Sequence, residues 1–309
     1  MGPPLLAIVG PTASGKTDLA LAMARTMPLE ILVADSRQVY RGMDVGTAKP
    51  DAAAQAAVPH HLIDLVDPDE PFSVADWVGF ARALLPEIAA RGRLPALVGG
   101  TGLYISAVVD GHDYAAQAWS PAVRRRLTDE LEADGLEPLA RRLRMIDPLS
   151  AGHVDLQNPR RVLRALERAE AGGGGLAPTM APYDGRVALI GIDRPRDELY
   201  RRIDARARSL FVVGGLLDEV RRLLDAGFGP QLRPMSGHGY REAARHLAGE
   251  WSLEQAIEVT ARRTRQYAKR QLSWSRRDPR IAWISPDDRP ADDPVVVRAA
   301  RSLIRAAFS

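Results

Sequence analysis

Gly10-Pro11-Thr12-Ala13-Ser14-Gly15-Lys16-Thr17 follows an apolar run, Leu5 to Val9, and opens a helix-like stretch. The spacing has a chemical cause. Glycines let the backbone curl so that its N–H groups and a helix N-terminus surround a phosphate, Lys16 neutralises that phosphate, and the Thr17 hydroxyl ligates magnesium. In its strand-turn-helix setting the octapeptide reads as a diphosphate or triphosphate site, without naming the reaction. Asp35-Ser36 follows the second apolar run, where open α/β sheets place their ligands. Asp35 suits a general base toward an amine or hydroxyl, or a water-mediated hold on magnesium, and a helix-capping role is also open. The third apolar run ends in Gly99-Gly100-Thr101-Gly102, not in the aspartate that P-loop kinases commonly use for magnesium. Thr101 could donate a hydrogen bond there, and a tight turn explains the glycines equally well.

Cations mark further candidates. Only Lys16, Lys49 and Lys269 are lysines among the 42 basic residues, so arginine is used wherever any cation will serve. Arg263, Tyr267, Arg270, Trp274 and Arg277 share one side of the last long helix, with Arg262, Arg265, Gln266 and Lys269 in the neighbouring row. That pattern fits phosphate contacts with base stacking as well as aromatics packed on a core with snorkelling arginines. Arg160, Arg161 and Arg164 form a second cluster, whose plainer reading is a solvated face. His60 and His61 are too close together for a metal pair and read as strand-entry residues.

These groups need a frame. Strands are expected at Leu5 to Val9, Glu30 to Ala34, His61 to Leu65 and Pro95 to Val98, with helices at Lys16 to Met27 and Val74 to Ala90. This is a parallel α/β sheet buried on both faces. From about Asp113 the chain turns arginine-rich and helical, at Pro121 to Asp134, Leu136 to Arg144 and Pro159 to Ala171, ending in Gly172 to Gly175, a possible hinge. A strand at Val187 to Ile192 resumes the core. Helices follow at Arg196 to Val213, Leu216 to Ala226, Gly239 to Leu247 and Leu253 to Arg277, then a short apolar stretch, Ile281 to Ile284. The expected fold class is therefore α/β, a P-loop NTPase-like parallel sheet core (1–112 and 187–309) with an inserted all-helical domain (113–186).

The 309 residues are 46% hydrophobic, carry a net charge of +3 and include no cysteine. Disulfides and thiolate metal sites are thereby excluded, and any metal must take oxygen or imidazole ligands. No apolar run approaches the roughly 18 residues of a membrane span. The opening residues lack the pattern of a secretory signal, so a cytoplasmic location is expected. Nothing demands more than a monomer.

The chain resembles the tRNA dimethylallyltransferase family over most of its length. The resemblance rests on Gly10 to Thr17, Asp35 to Pro50 (DSRQVYRGMDVGTAKP), Pro59 to Asp64 (PHHLID), Phe72 to Asp76 (FSVAD), Gly99-Gly100-Thr101, Asn158 to Arg161 (NPRR), Gly239 to Glu242 (GYRE) and Thr264 to Gln271 (TRQYAKRQ). It implies a nucleotide-kinase-like P-loop core with an inserted helical tRNA-binding domain, and transfer of a dimethylallyl group from dimethylallyl diphosphate, with Mg2+, to N6 of the adenosine just 3′ of the anticodon (position 37) in tRNA. By the same resemblance Asp35 is the general base, with Thr101 close by, and Lys16 and the magnesium stabilise the leaving diphosphate. The tRNA path would be lined by Asp35, Ser36, Arg37, Gln38, Thr101, Arg160, Arg161, Val162, Leu163, Arg164, Ser236, Gly237, His238, Gly239, Tyr240 and Arg241, with Arg124 at a position where the family tends to have a tRNA-contacting arginine. Two stretches depart from the family's usual residues, Gly172 to Thr179 and Met235 to His238. A small-molecule kinase, a prenyltransferase of free adenine nucleotides and a non-catalytic tRNA-binding protein are the competing readings. The helical insertion and cationic clusters weigh against the second of these, and Lys16, Thr17 and Asp35 against the third.

Overall fold

The computed structural model describes residues 1–111, 120–171 and 181–309. The expected boundary at Asp113, the Gly172 to Gly175 hinge and Leu176 to Thr179 lie outside the described residues. The chain divides into two compact units, Met1–Val109 with Tyr183–Ser309, and Asp110–Pro182.

In the first unit the elements run β1 (Leu5–Val9), α1 (Lys16–Ala24), β2 (Leu29–Val33), α2 (Ala52–Ala57), β3 (His60–His61), α3 (Val74–Ala90), β4 (Leu94–Val98) and α4 (Gly102–Val109). The second unit holds α5 (Pro121–Asp134), α6 (Leu136–Ile146), α7 (Pro148–His153) and α8 (Pro159–Glu170). The first resumes with β5 (Val187–Ile192), α9 (Arg196–Val212), α10 (Leu216–Asp225), a 3-10 turn (Pro234–Ser236), α11 (Tyr240–Leu247), α12 (Leu253–Ser275), β6 (Ala282–Ile284) and α13 (Pro294–Phe308).

Among the described residues six strands form one parallel sheet, in the order β3-β2-β4-β1-β5-β6. β1 and β2 are buried along their whole length and β4 almost so, as an all-parallel sheet covered on both faces requires. Register places the candidate residues together. β4 lies between β2 and β1, with Val98 opposite both Val33 and Ile8. The loops after these strands therefore start at one level and carry Gly10 to Thr17, Asp35 and Thr101 to the carboxyl end of the sheet. Gly99 lets two of the loops touch, because a Cβ there would stand 2.0 Å from the Ala34 carbonyl oxygen.

The expected strand His61 to Leu65 shrinks to His60–His61. Leu62 (φ 67°) and Asp64 (φ 53°) leave extended conformation, and the Leu65 amide turns to the Val39 carbonyl, 2.7 Å away. Lys49 fixes this turn, donating to Asp64 Oδ1 at 2.5 Å, Asp44 Oδ1 at 2.6 Å and the Tyr40 carbonyl at 2.9 Å. Helices α2, α4, α7 and α13 have no counterpart among the sequence expectations. α4 is apolar enough that periodicity cannot separate it from a buried strand, and five of its eight residues are buried.

All regular secondary structure among the described residues of the second unit is helical. Leu127, Leu139, Leu143, Val162, Leu163 and Leu166 form its core. Asn158 caps α8, accepting from the Arg161 amide, and Pro159 occupies the first turn, where its missing N–H costs nothing. Within this core Glu167 is fully buried and pairs with Arg124 and Arg164. No described helix is long and apolar enough to cross a membrane.

Candidate active site

The loop from Gly10 to Thr17 takes a conformation that ordinary residues resist. Gly10 (φ 146°), Ala13 (φ 64°) and Gly15 (φ 99°) all have positive φ, and a Cβ on Gly10 would stand 2.9 Å from the Ile192 carbonyl oxygen. Side chains brought from far along the chain hold the loop. Arg202 Nε donates to the Ala13 carbonyl at 2.9 Å, Arg194 Nε to the Ser14 carbonyl at 2.8 Å, and Gln271 Oε1 accepts from the Thr12 amide at 2.8 Å. Gln271 Nε2 donates to the Gly100 carbonyl at 3.0 Å, so one amide ties the loops after β1 and β4. Lys16 Nζ donates to the Pro11 carbonyl at 2.7 Å. Burial holds its ammonium down at about 8, with the Asp35 carboxylate opposing.

Asp35 stands where two cavities meet. One, of about 590 Å³, is lined by Gly15, Lys16, Thr17, Gln38, Gly99, Gly100 and Gln271 among others. The other, of about 220 Å³, is lined by Ser36, Arg37, Ser236, Gly237, His238, Tyr240, Thr260 and Thr264 with the apolar Ile203, Ala207 and Leu210. Both include Thr12, Ala13, Asp35, Thr47, Arg206 and Tyr267. Asp35 Oδ1 accepts from the Arg37 amide at 2.8 Å, leaving its other oxygen without a hydrogen bond among the described residues. Thr101 Oγ1 accepts from the Ser36 amide at 3.1 Å. Burial pushes Tyr267 up to about 12, so its phenol stays protonated.

Arg206 has no counterpart among the sequence candidates. It is half-buried, lines both cavities, and no hydrogen bond or ion pair fixes its guanidinium among the described residues. Burial lowers its pKa while Asp35 and Asp18 oppose, and an arginine so placed remains charged. Its only sequence signal is the four-residue spacing from Arg202 on α9, which puts both on one face.

The expected tRNA-contact residues divide. Arg160 and Arg161 are exposed, whereas Val162 and Leu163 are buried in the core of their unit, because successive helix positions point to different sides. These two side chains are not surface contacts. Arg124 and Arg164 are committed to Glu167, with Arg124 Nε donating to Oε1 at 3.1 Å and Arg164 to Oε2 at 3.0 Å. Arg37 donates to the Arg233 and Pro234 carbonyls at 2.7 and 3.0 Å, so it supports the 3-10 turn beside the smaller cavity. Gln38 donates to the Thr47 and Ala48 carbonyls at 3.1 and 3.3 Å. Ser236 and Arg241 are exposed. Gly239 turns the chain at φ 94° and its amide donates to Glu242 Oε2 at 2.8 Å. Tyr240 is 1% exposed and meets the smaller cavity from beneath: its hydroxyl donates to Glu219 Oε1 at 2.7 Å, and Glu219 also accepts from the amides of Asp44, Val45 and Gly46. It braces the loop that carries Thr47.

On α12 the structure separates the two open readings residue by residue. Tyr267 and Gln271 line the site, and Trp274 covers Gly102, where a Cβ would come within 2.2 Å of the indole. Arg263 pairs with the buried Glu242, whereas Arg262 and Lys269 are exposed.

His238 lies against Tyr267, ring centroids 5.4 Å apart. Burial, with help from Arg263, pushes its imidazole down to about 4, and Glu242 opposes. Between that value and the ordinary 6.5 the unfolded chain binds a proton that the native protein refuses, so acidification costs stability across this window. We predict that the melting temperature of the wild-type protein falls relative to His238→Val as pH drops from about 6.5 toward 4. Parallel curves for the two proteins would contradict it.

A family model described as IPP transferase matches residues 38–278, and one described as isopentenyl transferase matches residues 3–59. A tRNA dimethylallyltransferase of Heliobacterium modesticaldum is 45% identical over 285 residues, covering 91% of this chain and 89% of that protein. One from Roseiflexus castenholzii is 46% identical over 307 residues, covering 99% and 98%. Among solved structures, the full-length tRNA isopentenylpyrophosphate transferase of Bacillus halodurans superposes with TM-score 0.72 at 38% identity, covering 98% of this chain and 97% of that one. A eukaryotic dimethylallyltransferase acting on tRNA, at 24% identity, shares the fold with TM-score 0.77 over 96% of this chain and 77% of that one.

Proposed function

This chain belongs to the IPP transferase family, and from that premise we propose that it transfers the dimethylallyl group of dimethylallyl diphosphate to the N6 amine of the adenosine just 3′ of the anticodon in tRNA. The observation that carries this reading is Asp35 at the boundary of two cavities, one walled by the phosphate loop and the other open to the Ser236 to His238 turn. The donor occupies the first and the acceptor base enters from the second.

In the reaction the allylic C–O bond breaks, a C–N bond to N6 forms, and Asp35 takes the proton that N6 releases. The carboxylate is suited to this because the Arg37 amide pins one oxygen, no hydrogen bond among the described residues occupies the other, and Asp35 lines both cavities. Thr101 holds the Asp35–Ser36 segment through the Ser36 amide. Negative charge grows on the departing diphosphate, and fixed donors aimed there are the largest source of acceleration. The loop amides, Lys16 and Arg206 supply them. Gly10, Pro11, Thr12, Ala13, Ser14 and Gly15 form the cradle, and Arg202 and Arg194 hold its Ala13 and Ser14 carbonyls.

Mg2+ fits as a companion of the diphosphate. Among the described residues no group of three or more histidine or acidic side chains could hold a metal, while the Thr17 hydroxyl opens on the phosphate cavity. Magnesium prefers oxygen ligands and keeps substrate phosphates and water. Thr17 would hold it, and it would supply charge neutralisation at the leaving group. We place the reaction in the cytoplasm, carried out by a monomer, with tRNA gripped in part by the helical unit.

Two measurements test this reading. Nucleosides from unmodified tRNA treated with enzyme, magnesium and dimethylallyl diphosphate should contain N6-(dimethylallyl)adenosine by mass spectrometry; ATP consumption with no prenylated nucleoside would favour a kinase instead. Replacing both Arg160 and Arg161 with alanine should weaken tRNA binding and lower the slope of log affinity against log salt by about 2. An unchanged slope would make that exposed pair a solvated face.

A further inference from the structure

We propose that Arg194 is a positioning residue for diphosphate binding, and that it makes the segment after β6 the rear wall of the phosphate loop. The proposal rests on the reading of that loop as the diphosphate site and assigns a function to a side chain that touches neither cavity.

Arg194 follows β5 and its side chain is wholly buried. It spends its donors on four partners: Nε to the Ser14 carbonyl at 2.8 Å, Nη1 to Glu198 Oε1 at 2.6 Å and the Asp287 carbonyl at 3.1 Å, and Nη2 to the Arg289 carbonyl at 3.0 Å. Burying a guanidinium is unfavourable unless it is paired and hydrogen-bonded. Here one carboxylate supplies the charge, and three backbone carbonyls from two distant segments complete the set. The two segments also meet directly, since a Cβ on Gly15 would lie 2.5 Å from the Ala291 methyl.

The consequence follows from peptide planarity. The Ser14 carbonyl and the Gly15 amide belong to one rigid plane, so drawing the oxygen toward Arg194 turns the N–H the other way. Arg202 does the same to the Ala13 carbonyl, and the Ser14 amide of that peptide closes the loop by donating to the Pro11 carbonyl at 3.3 Å. Ala13, at φ 64°, is in a region that non-glycine residues hold only when their surroundings over-determine it. Arg202 also lines the phosphate cavity, so its loss would mix positioning with direct contact. Arg194 separates the two, because it lines neither cavity.

The test measures binding of inorganic diphosphate with magnesium, and of tRNA, to full-length wild-type protein, Arg194→Lys, Arg194→Met and Ala291→Val. The lysine keeps the charge but not the fork of donors, and the valine crowds Gly15 while leaving Arg194 in place. Diphosphate affinity should fall about tenfold or more in Arg194→Met, and measurably in the other two. Affinity for tRNA should stay within about twofold of wild type, since phosphate-contact arginines elsewhere set it. Amide hydrogen exchange should rise at residues 12–16 and not at 121–170. A variant with wild-type diphosphate affinity and a lowered melting temperature would make Arg194 structural only and overturn the proposal. Failure of the wild-type protein to bind diphosphate would strike the underlying reading instead.

Discussion

Asp35→Ala should bind tRNA and dimethylallyl diphosphate at near wild-type affinity while kcat falls about 10²- to 10⁴-fold, the usual contribution of a positioned general base. Asp35→Asn should do the same, because the amide keeps the size and can still accept from the Arg37 amide but cannot take a proton. Steady-state rates with each substrate varied in turn, together with equilibrium binding of tRNA, separate loss of chemistry from loss of binding. The geometry makes the effect fall on kcat. Asp35 lies between the cavities, not at the wall of either alone, so neither substrate depends on it for most of its contacts. Normal turnover in both variants would remove the base from the mechanism. A matched collapse of tRNA affinity would recast Asp35 as a binding residue.

Arg206→Met should cost about 10²- to 10³-fold in kcat/KM for dimethylallyl diphosphate, the range measured when one fixed donor to a developing anion is removed. Arg206→Lys should recover part of it, since the charge returns without the planar fork. The expectation comes from a half-buried cation that lines both cavities and has no hydrogen bond or ion pair among the described residues. A buried charge without a close partner is expensive, and a diphosphate in the adjoining loop supplies one. Methionine keeps the stem and the packing, so tRNA affinity and thermal stability should hold. If donor kinetics are unchanged, the role of Arg206 lies in counterbalancing Asp35 and Asp18.

Much of this was legible in the chain. Gly10 to Thr17 could be read because its chemistry is local: the residues that bend the backbone, neutralise the phosphate and start the helix are consecutive. Strand ends were readable within one or two residues at β1, β2 and β4 because fully buried parallel strands are continuous apolar runs. Helix α3 was expected and found at Val74–Ala90, its start marked by Ser73 and Asp76, which cap one another's backbone amides. The strand at His61 to Leu65 was overestimated because positive φ at Leu62 and Asp64 comes from tertiary tethers, among them Lys49, that leave no periodic trace.

By itself, then, the chain pointed to the glycine-rich loop, the candidate base and an α/β frame interrupted by helices, all of which depend on neighbours in sequence. Tertiary structure alone decided which cations are free to act. Arg160 and Arg164 belong to one cluster in sequence, yet Arg160 is exposed and Arg164 is paired with Glu167. Arg194 and Gln271 reach the phosphate loop across 180 and 259 residues. The physical reason is that a hydrogen bond between distant segments is set by where packing brings two backbones, and residue spacing carries that information only within one helix or one strand.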